Sequence, residues 1–216
     1  MPDTDAARRG RRFWSARSSG SGSRWGERRA TPIRALIVDM LHLRPGERVL
    51  DIGCGDGGYI STLRDQVGPS GQIVGLDYST AMIERAQRRI TEKGWANVES
   101  READLTTAHL EPATYDAALA VFSLSAMTDV PAAIATSYAA LKPGGRLFVI
   151  DLHLVPGGML HPVIRLIRQG YATFAGGSKA DVLGAVRAAF DGVEMHANRK
   201  STAWPPVATF VALKRR

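Results

Sequence analysis

Along the chain, short runs of consecutive apolar residues alternate with segments in which apolar residues recur every three or four positions. The first pattern fits a strand buried on both faces, the second a helix with one buried face. Leu36, Ile37, Met40 and Leu41 share a helix face and predict a helix over Ile33 to Leu43, opened by Thr31-Pro32. After the Pro45-Gly46 turn a strand is expected at Arg48 to Ile52, then a glycine loop leading into a helix that runs to about Val67. A second strand, Gln72 to Leu76, ends at Asp77, and Ser79 stands where it can cap a helix running to Lys93. Strands at Asn97 to Arg101, Tyr115 to Val121 and Arg146 to Leu152 follow. A helix from Val130 to Leu141 separates the last two, with Lys142-Pro143-Gly144-Gly145 as its stop and turn. Strands alternating with helices predict a doubly wound, Rossmann-like α/β sheet, mostly parallel.

Beyond the fifth strand the pattern changes. Residues 154–177 form an insertion, Lys179 to Phe190 a helix, and Val193 to Asn198 and Val207 to Leu213 two strands with no helix between them. Strands joined without a crossover helix run antiparallel, so a seven-stranded sheet with one reversed C-terminal strand is expected. Within the insertion, Val163, Leu166, Ile167, Tyr171 and Phe174 share a helical face from Pro162 onward, while Arg165 and Arg168 lie off it. Either a lid over a pocket mouth or a helix packed on the sheet edge fits this spacing. The borders Gly157-Gly158 and Gly176-Gly177 favour the lid.

Composition narrows the function classes. A chain of 216 residues holds one α/β domain and leaves no room for a second of ordinary size. No run of about 18 apolar residues is present, so a soluble protein is expected. Cys54 is the one cysteine, and the five histidines lack ligand spacing. Neither a disulfide nor a metal site is therefore expected, and the default location is the reducing cytoplasm.

The net charge of +7 is unevenly placed. Residues 1–30 carry Arg8, Arg9, Arg11, Arg12, Arg17, Arg24, Arg28 and Arg29 against Asp3, Asp5 and Glu27, which leaves the domain at 31–216 nearly neutral. A near-neutral core without a nucleic-acid module argues against a nucleic-acid partner. The basic Arg/Ser/Gly-rich arm buries too little apolar surface to order itself, so a mobile arm is expected. Its twin arginines before Phe13 and Trp14 lack the apolar stretch of an export signal. The sharper alternatives are that Phe13, Trp14 and Trp25 fold over a ligand, or that the arginines touch an anionic membrane surface.

Candidate chemistry starts at VLDIGCGDGGY, Val49 to Tyr59, whose glycines follow the G-x-G-x-x-G spacing of a dinucleotide pyrophosphate loop. Asp51 argues for a different ligand: a carboxylate at that place repels a diphosphate and pairs with an ammonium group. Asp77, about 20 residues beyond the loop, stands where an acid accepts ribose hydroxyls. Asp104, after the third strand, is placed to accept from an exocyclic amino group of adenine. Ammonium, ribose and adenine thus each find an acid at one sheet edge.

With these residues the chain resembles the class I S-adenosylmethionine-dependent methyltransferases, on VLDIGCGDGGY, IVGLDYS, READL, YDAALAVFSLSAM and LKPGGRLFVIDL. The wording LDIGCG, GLDYS and LKPGGRL is most similar to the ubiquinone/menaquinone-biosynthesis methyltransferases and their small-molecule relatives. The resemblance implies S-adenosylmethionine as cofactor, with Asp51, Gly53, Cys54 and Gly55 around its methionine end and Asp77 on the ribose. It implies Asp104 on the adenine, with Tyr78, Met82, Leu105 and Val121 beside them. For Met82 and Leu105, core packing is an equal reading, and Cys54 is chiefly a small residue in a tight loop.

The activated methyl group asks the protein to hold a nucleophile in line and exclude water. A general base is needed only for a nucleophile that arrives protonated, and the candidates are Ser125, Asp129 and His153, with Ser123 and Asp151 nearby. Many relatives carry a histidine near Phe122-Ser123-Leu124-Ser125 that this chain lacks, so no fixed family base is carried over. The expected activity is methyl transfer to a small apolar or aromatic acceptor, quinone-like or phenolic first. A phospholipid headgroup N-methyltransferase, an NAD-dependent oxidoreductase suggested by the glycine loop alone, and a non-catalytic cofactor-binding protein are the alternatives, and a second copy of the chain is a candidate partner.

Overall fold

Apolar runs covered on both faces build the sheet. Its strands are β1 (Arg48–Ile52), β2 (Gln72–Asp77), β3 (Val98–Glu102), β4 (Tyr115–Val121), β5 (Leu141–Leu152), β6 (Gly192–Met195) and β7 (Val207–Leu213). The helices are α1 (Arg24–Leu41), α2 (Ile60–Val67), α3 (Thr80–Lys93), α4 (Val130–Ala140) and α5 (Val182–Ala189). The computed structural model describes residues 8–10, 12–13, 24–152, 166, 169–170, 173, 181–196 and 207–215, with the backbone alone over 24–30.

The strands pair into one seven-stranded sheet in the order β3-β2-β1-β4-β5-β7-β6. β1 to β5 pair in parallel, and β7 runs antiparallel to both β5 and β6. The expected Rossmann-like sheet with one reversed C-terminal strand is therefore what forms. Side chains alternate between two cores as a pleated strand requires. Leu50 and Ile52 of β1, Ala118 and Ala120 of β4, and Leu147 and Val149 of β5 enter one core, covered by Val130 and Ile134 of α4 and Val182 and Val186 of α5. Val49, Ala117, Leu119, Phe148 and Ile150 enter the other, with Ile37 and Leu41 of α1 and Ile60 and Leu63 of α2.

Several boundaries differ from the sequence reading, each for a local reason. α1 starts at Arg24, inside the arm expected at 1–30, and Pro32 lies within the helix instead of opening it. Arg, Glu and Ala in Arg24–Ala30 favour helix and extend it backwards. β5 starts at Leu141, so Lys142 to Gly145 belong to the strand as a bulge, with Tyr115 paired to Leu141 and Ala117 to Arg146. Bonds across the sheet hold that bulge: Lys142 Nζ meets Asp116 Oδ1 at 2.7 Å, and the Gly144 amide donates to Lys214 O at 3.1 Å. α5 is shorter than expected. Asp181 stands at its N-cap, and its backbone carbonyl accepts the Ala185 amide at 2.9 Å. β3 is shifted by one residue; just before it Asn97 bonds Gly68 O and Gly71 O through its side chain, while its backbone carbonyl accepts the Ile73 amide at 3.0 Å. The insertion 154–177 lies outside the described residues except 166, 169–170 and 173, which are helical.

One clamp fixes α1 against the sheet. Arg146 of β5 donates to Glu47 Oε2 at 2.6 Å and to the carbonyls of Leu41 and His42 at the helix end. With Ile37 and Leu41 buried beneath the helix, it sets where α1 lies against the sheet.

Candidate functional site

Parallel pairing of β1 to β5 brings their carboxyl ends to one edge, and the chain order reverses between β1 and β4. In open α/β sheets ligands bind in the crevice at that switch point. Asp51 of β1, Asp77 of β2, Asp104 after β3, Val121 of β4 and Asp151 of β5 all arrive at this edge.

The loop after β1 can take its path because Gly53 has φ +66° and Gly55 φ +56°. A Cβ on Gly53 would fall 2.4 Å from the Cβ of Ser123, so the loop presses directly on the end of β4. At Gly55 a Cβ would meet nothing within 4 Å, which leaves a backbone surface that a ligand can approach. Two bonds hold the loop to β2: the Cys54 amide donates to Leu76 O and the Gly55 amide to Asp77 Oδ2, each at 3.0 Å. Gly75 makes room for Cys54, since a Cβ there would lie 2.8 Å from its sulfur. Burial, with the charges of Asp51 and Asp77 behind it, pushes the Cys54 thiol well up, so a packing role accounts for it and thiolate chemistry does not.

The acids differ in what they have to offer. Asp51 is 2% exposed, and its Oδ2 is buried with no hydrogen-bond partner. Burial first, and the charge of Asp77 second, push its carboxyl up to about 7. Asp77 accepts the Gly55 amide on one oxygen and the Ser79 amide at 2.9 Å on the other. Burial raises its pKa while those two bonds oppose the rise. Ser79 takes the N-cap position of α3 expected of it but makes no side-chain cap bond. Asp104 is exposed, and its Oδ1 is engaged by the Thr106 amide at 3.0 Å and the Thr106 hydroxyl at 2.7 Å. The backbone beside it is tied to Asp77, since the Ala103 amide donates to Asp77 O at 2.9 Å. Tyr78 and Met82 are half-buried at the start of α3, Val121 is half-buried at the end of β4, and Leu105 is 3% exposed in the main core.

On the β4–β5 side, Ser123 is buried and its Oγ has no hydrogen-bond partner. Phe122 has φ +52° and is 37% exposed, an aromatic ring held on strained backbone at the crevice edge. Asp151 Oδ1 accepts the Ser125 hydroxyl at 2.5 Å and Oδ2 the Ser125 amide at 2.9 Å, both residues buried. Burial raises the Asp151 pKa against these bonds. Asp129 is exposed and accepts the Ala132 amide at 3.0 Å as the N-cap of α4. That cap accounts for its presence. His153 lies outside the described residues.

Sequence reading did not find Arg34, Tyr59 or Phe122. Arg34 of α1 donates from Nη2 to Gly58 O at 3.1 Å, and Tyr59 is half-buried beside it. The helix is recognised by its apolar stripe, and the signal was the arginine at that stripe's edge, on the same side as Ile37 and Leu41.

A zwitterionic nucleoside fits this edge. Asp51 Oδ2 and Ser123 Oγ are two buried polar atoms that need partners, and an ammonium group supplies donors where the charge of Asp77 crowds Asp51. A pyrophosphate would add negative charge there.

Comparison with known proteins agrees with the chemistry. Residues 49–145 match the family described as "Methyltransferase domain". A ubiquinone/menaquinone biosynthesis C-methyltransferase UbiE from Methylococcus capsulatus is 30% identical over 168 residues, covering 77% of this chain and 68% of that one. The aklanonic acid methyltransferase DauC of Streptomyces sp. is 33% identical over 130 residues, 60% of this chain and 59% of its own. The solved structure of an Aquifex aeolicus SAM-dependent methyltransferase shares the fold with a TM-score of 0.58 at 19% identity, covering 83% of this chain and 87% of that one. The chain spans about half the length of several of the curated relatives it matches, 48% of a Lactococcus lactis demethylmenaquinone methyltransferase among them. Its glycine loop, its three acids and this similarity place it in one family: the chain belongs to the class I S-adenosylmethionine-dependent methyltransferases of the UbiE type.

Proposed function

We propose that the chain transfers the methyl group of S-adenosylmethionine to a small lipophilic or aromatic acceptor, with a quinone-like or phenolic ring as first candidate. The observation that carries this reading is Phe122, an exposed aromatic ring on strained backbone beside the glycine loop. Such a ring offers a planar acceptor a stacking face. Relatives named for ubiquinone, menaquinone and aklanonic acid biosynthesis support it.

When bound, the cofactor supplies a methyl group already activated by its sulfonium. The chain's own residues bind and orient. Asp51 would hold the ammonium, Asp77 the ribose and Asp104 the adenine amine through its Oδ2, with Tyr78 and Met82 beside the base. Positioning of this kind supplies as much as about 7–11 kcal/mol of barrier reduction. For an acceptor that arrives as a hydroxyl, Ser125 and Asp151 form the proton-handling candidate in the described residues, since the Ser125 hydrogen is already directed to Asp151 Oδ1. His153 stays a candidate base on its intrinsic pKa. The apolar face of the 154–177 insertion is the proposed lid, the basic arm a proposed contact with anionic membrane, and a homodimer the proposed assembly. A cytoplasmic location rests on the lone cysteine.

Radiolabelled methyl transfer to a panel of phenols, reduced quinones, amines and phosphatidylethanolamine tests the reading. Label in phenol or quinol supports it. Label confined to phosphatidylethanolamine favours the headgroup N-methyltransferase, and cofactor binding with no label anywhere favours a non-catalytic binder.

A further inference from the structure

We infer that Ser123 is a specificity-determining residue whose hydroxyl donates a hydrogen bond to an oxygen on the acceptor, a role that rests on the planar acceptor proposed above. β4 ends at Val121, and the chain leaves the sheet through Phe122. The Phe122 amide still donates to Ile150 O at 2.7 Å, while its φ of +52° is one that a bulky residue keeps only where its surroundings fix it. Ser123 follows, set against the glycine loop: a Cβ on Gly53 would lie 2.4 Å from the Ser123 Cβ and 3.2 Å from its Oγ. The hydroxyl thus borders the loop, one residue from the exposed ring of Phe122.

Neither packing nor local structure uses this hydroxyl. The closest approach to Gly53 is made by Cβ, which alanine would supply as well. Ser123 stands at the N-cap of the short turn Leu124–Ala126 but makes no side-chain cap bond, and it is its backbone carbonyl that accepts the Ala126 amide at 3.1 Å. Two positions on, Ser125 gives its hydroxyl to Asp151 Oδ1 at 2.5 Å. Ser123 is 7% exposed, and its Oγ has no hydrogen-bond partner among the described residues. A hydroxyl carries one donor and two acceptor positions. An ammonium offers donors alone, so it can fill a lone pair of Ser123 and still leaves the hydroxyl hydrogen unmet. A buried polar hydrogen without a partner costs stability, and an oxygen on a ring stacked against Phe122 would meet it. Stacking accepts any flat ring, whereas a buried donor discriminates against rings that leave it unpaired.

Fluorescence titration of the full chain, loaded with S-adenosylhomocysteine, compares 1-naphthol with naphthalene, the same ring without the oxygen. Ser123→Ala keeps the Cβ that meets Gly53. It is expected to weaken 1-naphthol about 5- to 10-fold and to leave naphthalene and S-adenosylhomocysteine each within about twofold. Without ligand the variant should melt no lower than wild type, since it loses only an unmet polar group. A lower Tm would assign the hydroxyl to the fold, and weaker S-adenosylhomocysteine would assign it to the cofactor. Either result overturns the role of Ser123, as does an equal change for both rings or for neither. A wild-type chain that binds S-adenosylhomocysteine but neither ring overturns the planar-acceptor reading, and the role of Ser123 with it.

Discussion

Asp77, at the tip of β2, holds the backbone amide of Gly55 on its Oδ2 at 3.0 Å, so the acid assigned to the ribose also shapes the loop assigned to the methionine end. Asp77→Ala removes this bond and the one to Ser79, each to a charged group and worth about 1.5–3 kcal/mol. The expected outcome is a lower Tm and S-adenosylhomocysteine affinity reduced about 100-fold by calorimetry. The variant also removes the charge that raises Asp51, so any residual binding keeps its strength to lower pH than in the wild type. Unchanged affinity would remove Asp77 from the site.

Gly53 is fixed by two independent constraints, its positive φ and the Ser123 Cβ 2.4 Å from where its own would lie. Gly53→Ala is expected to destabilise the chain by about 2–5 kcal/mol, from backbone strain and overpacking together. Adding Ser123→Gly relieves the clash and leaves the strain, about 1–2 kcal/mol. Thermal unfolding of the single and double variants checks this, and an equally unstable double variant would show that contact with Ser123 is not the cause.

The Ser125–Asp151 pair joins the short helical turn after β4 to the end of β5 inside the protein. Asp151→Ala strands the amides of Ser125 and Leu152, at roughly 1–3 kcal/mol for each buried group left unmet. Ser125→Ala keeps the amide bond and loses the hydroxyl. It should fold, bind S-adenosylhomocysteine normally and lose transfer to hydroxyl acceptors by about 10²-fold, the low end of general acid–base effects. Full transfer by Ser125→Ala would assign the pair to folding alone.

Asp51 sets a pH dependence whose sign follows from its raised carboxyl. With about 7 in the folded chain against an ordinary 3.8, the folded state binds the proton more tightly than the unfolded state. The associated stability is fully present below 3.8 and is lost as pH rises through about 7. The ligand-free chain should therefore lose Tm between pH 5 and pH 7.5 relative to Asp51→Asn, by about 2–4 °C per kcal/mol. Parallel melting curves for the two proteins would contradict this.

The sheet was legible because both of its faces are covered: apolar runs such as Val49-Leu50 and Phe148-Val149-Ile150 have no other way to be buried. Asp51, Asp77 and the glycines were legible because strand tips and positive-φ turns carry strong local signals. What escaped depends on packing between distant segments. Nothing in the sequence around Arg34 says that α1 docks where its guanidinium meets Gly58, since that follows from Arg146 gripping Leu41, His42 and Glu47. Likewise the Ser125–Asp151 bond spans the turn after β4 and the end of β5, and in the sequence the two residues stand as separate candidates. Pro143-Gly144-Gly145 was read as a turn, because a bulge held by Lys214 and Asp116 looks locally the same.

Asp51 is the residue proposed to receive the ammonium of S-adenosylmethionine. Calorimetric titration of S-adenosylhomocysteine into wild type and Asp51→Asn, from pH 6 to pH 8, tests it most directly. Wild-type affinity should rise by up to tenfold per pH unit until about pH 7 and then level, as the carboxyl ionises to meet the ligand. Asp51→Asn should bind at least about 30-fold more weakly at pH 8, with a flat profile. Equal affinity in the two proteins at every pH, or binding of NAD in place of S-adenosylhomocysteine, would contradict the account.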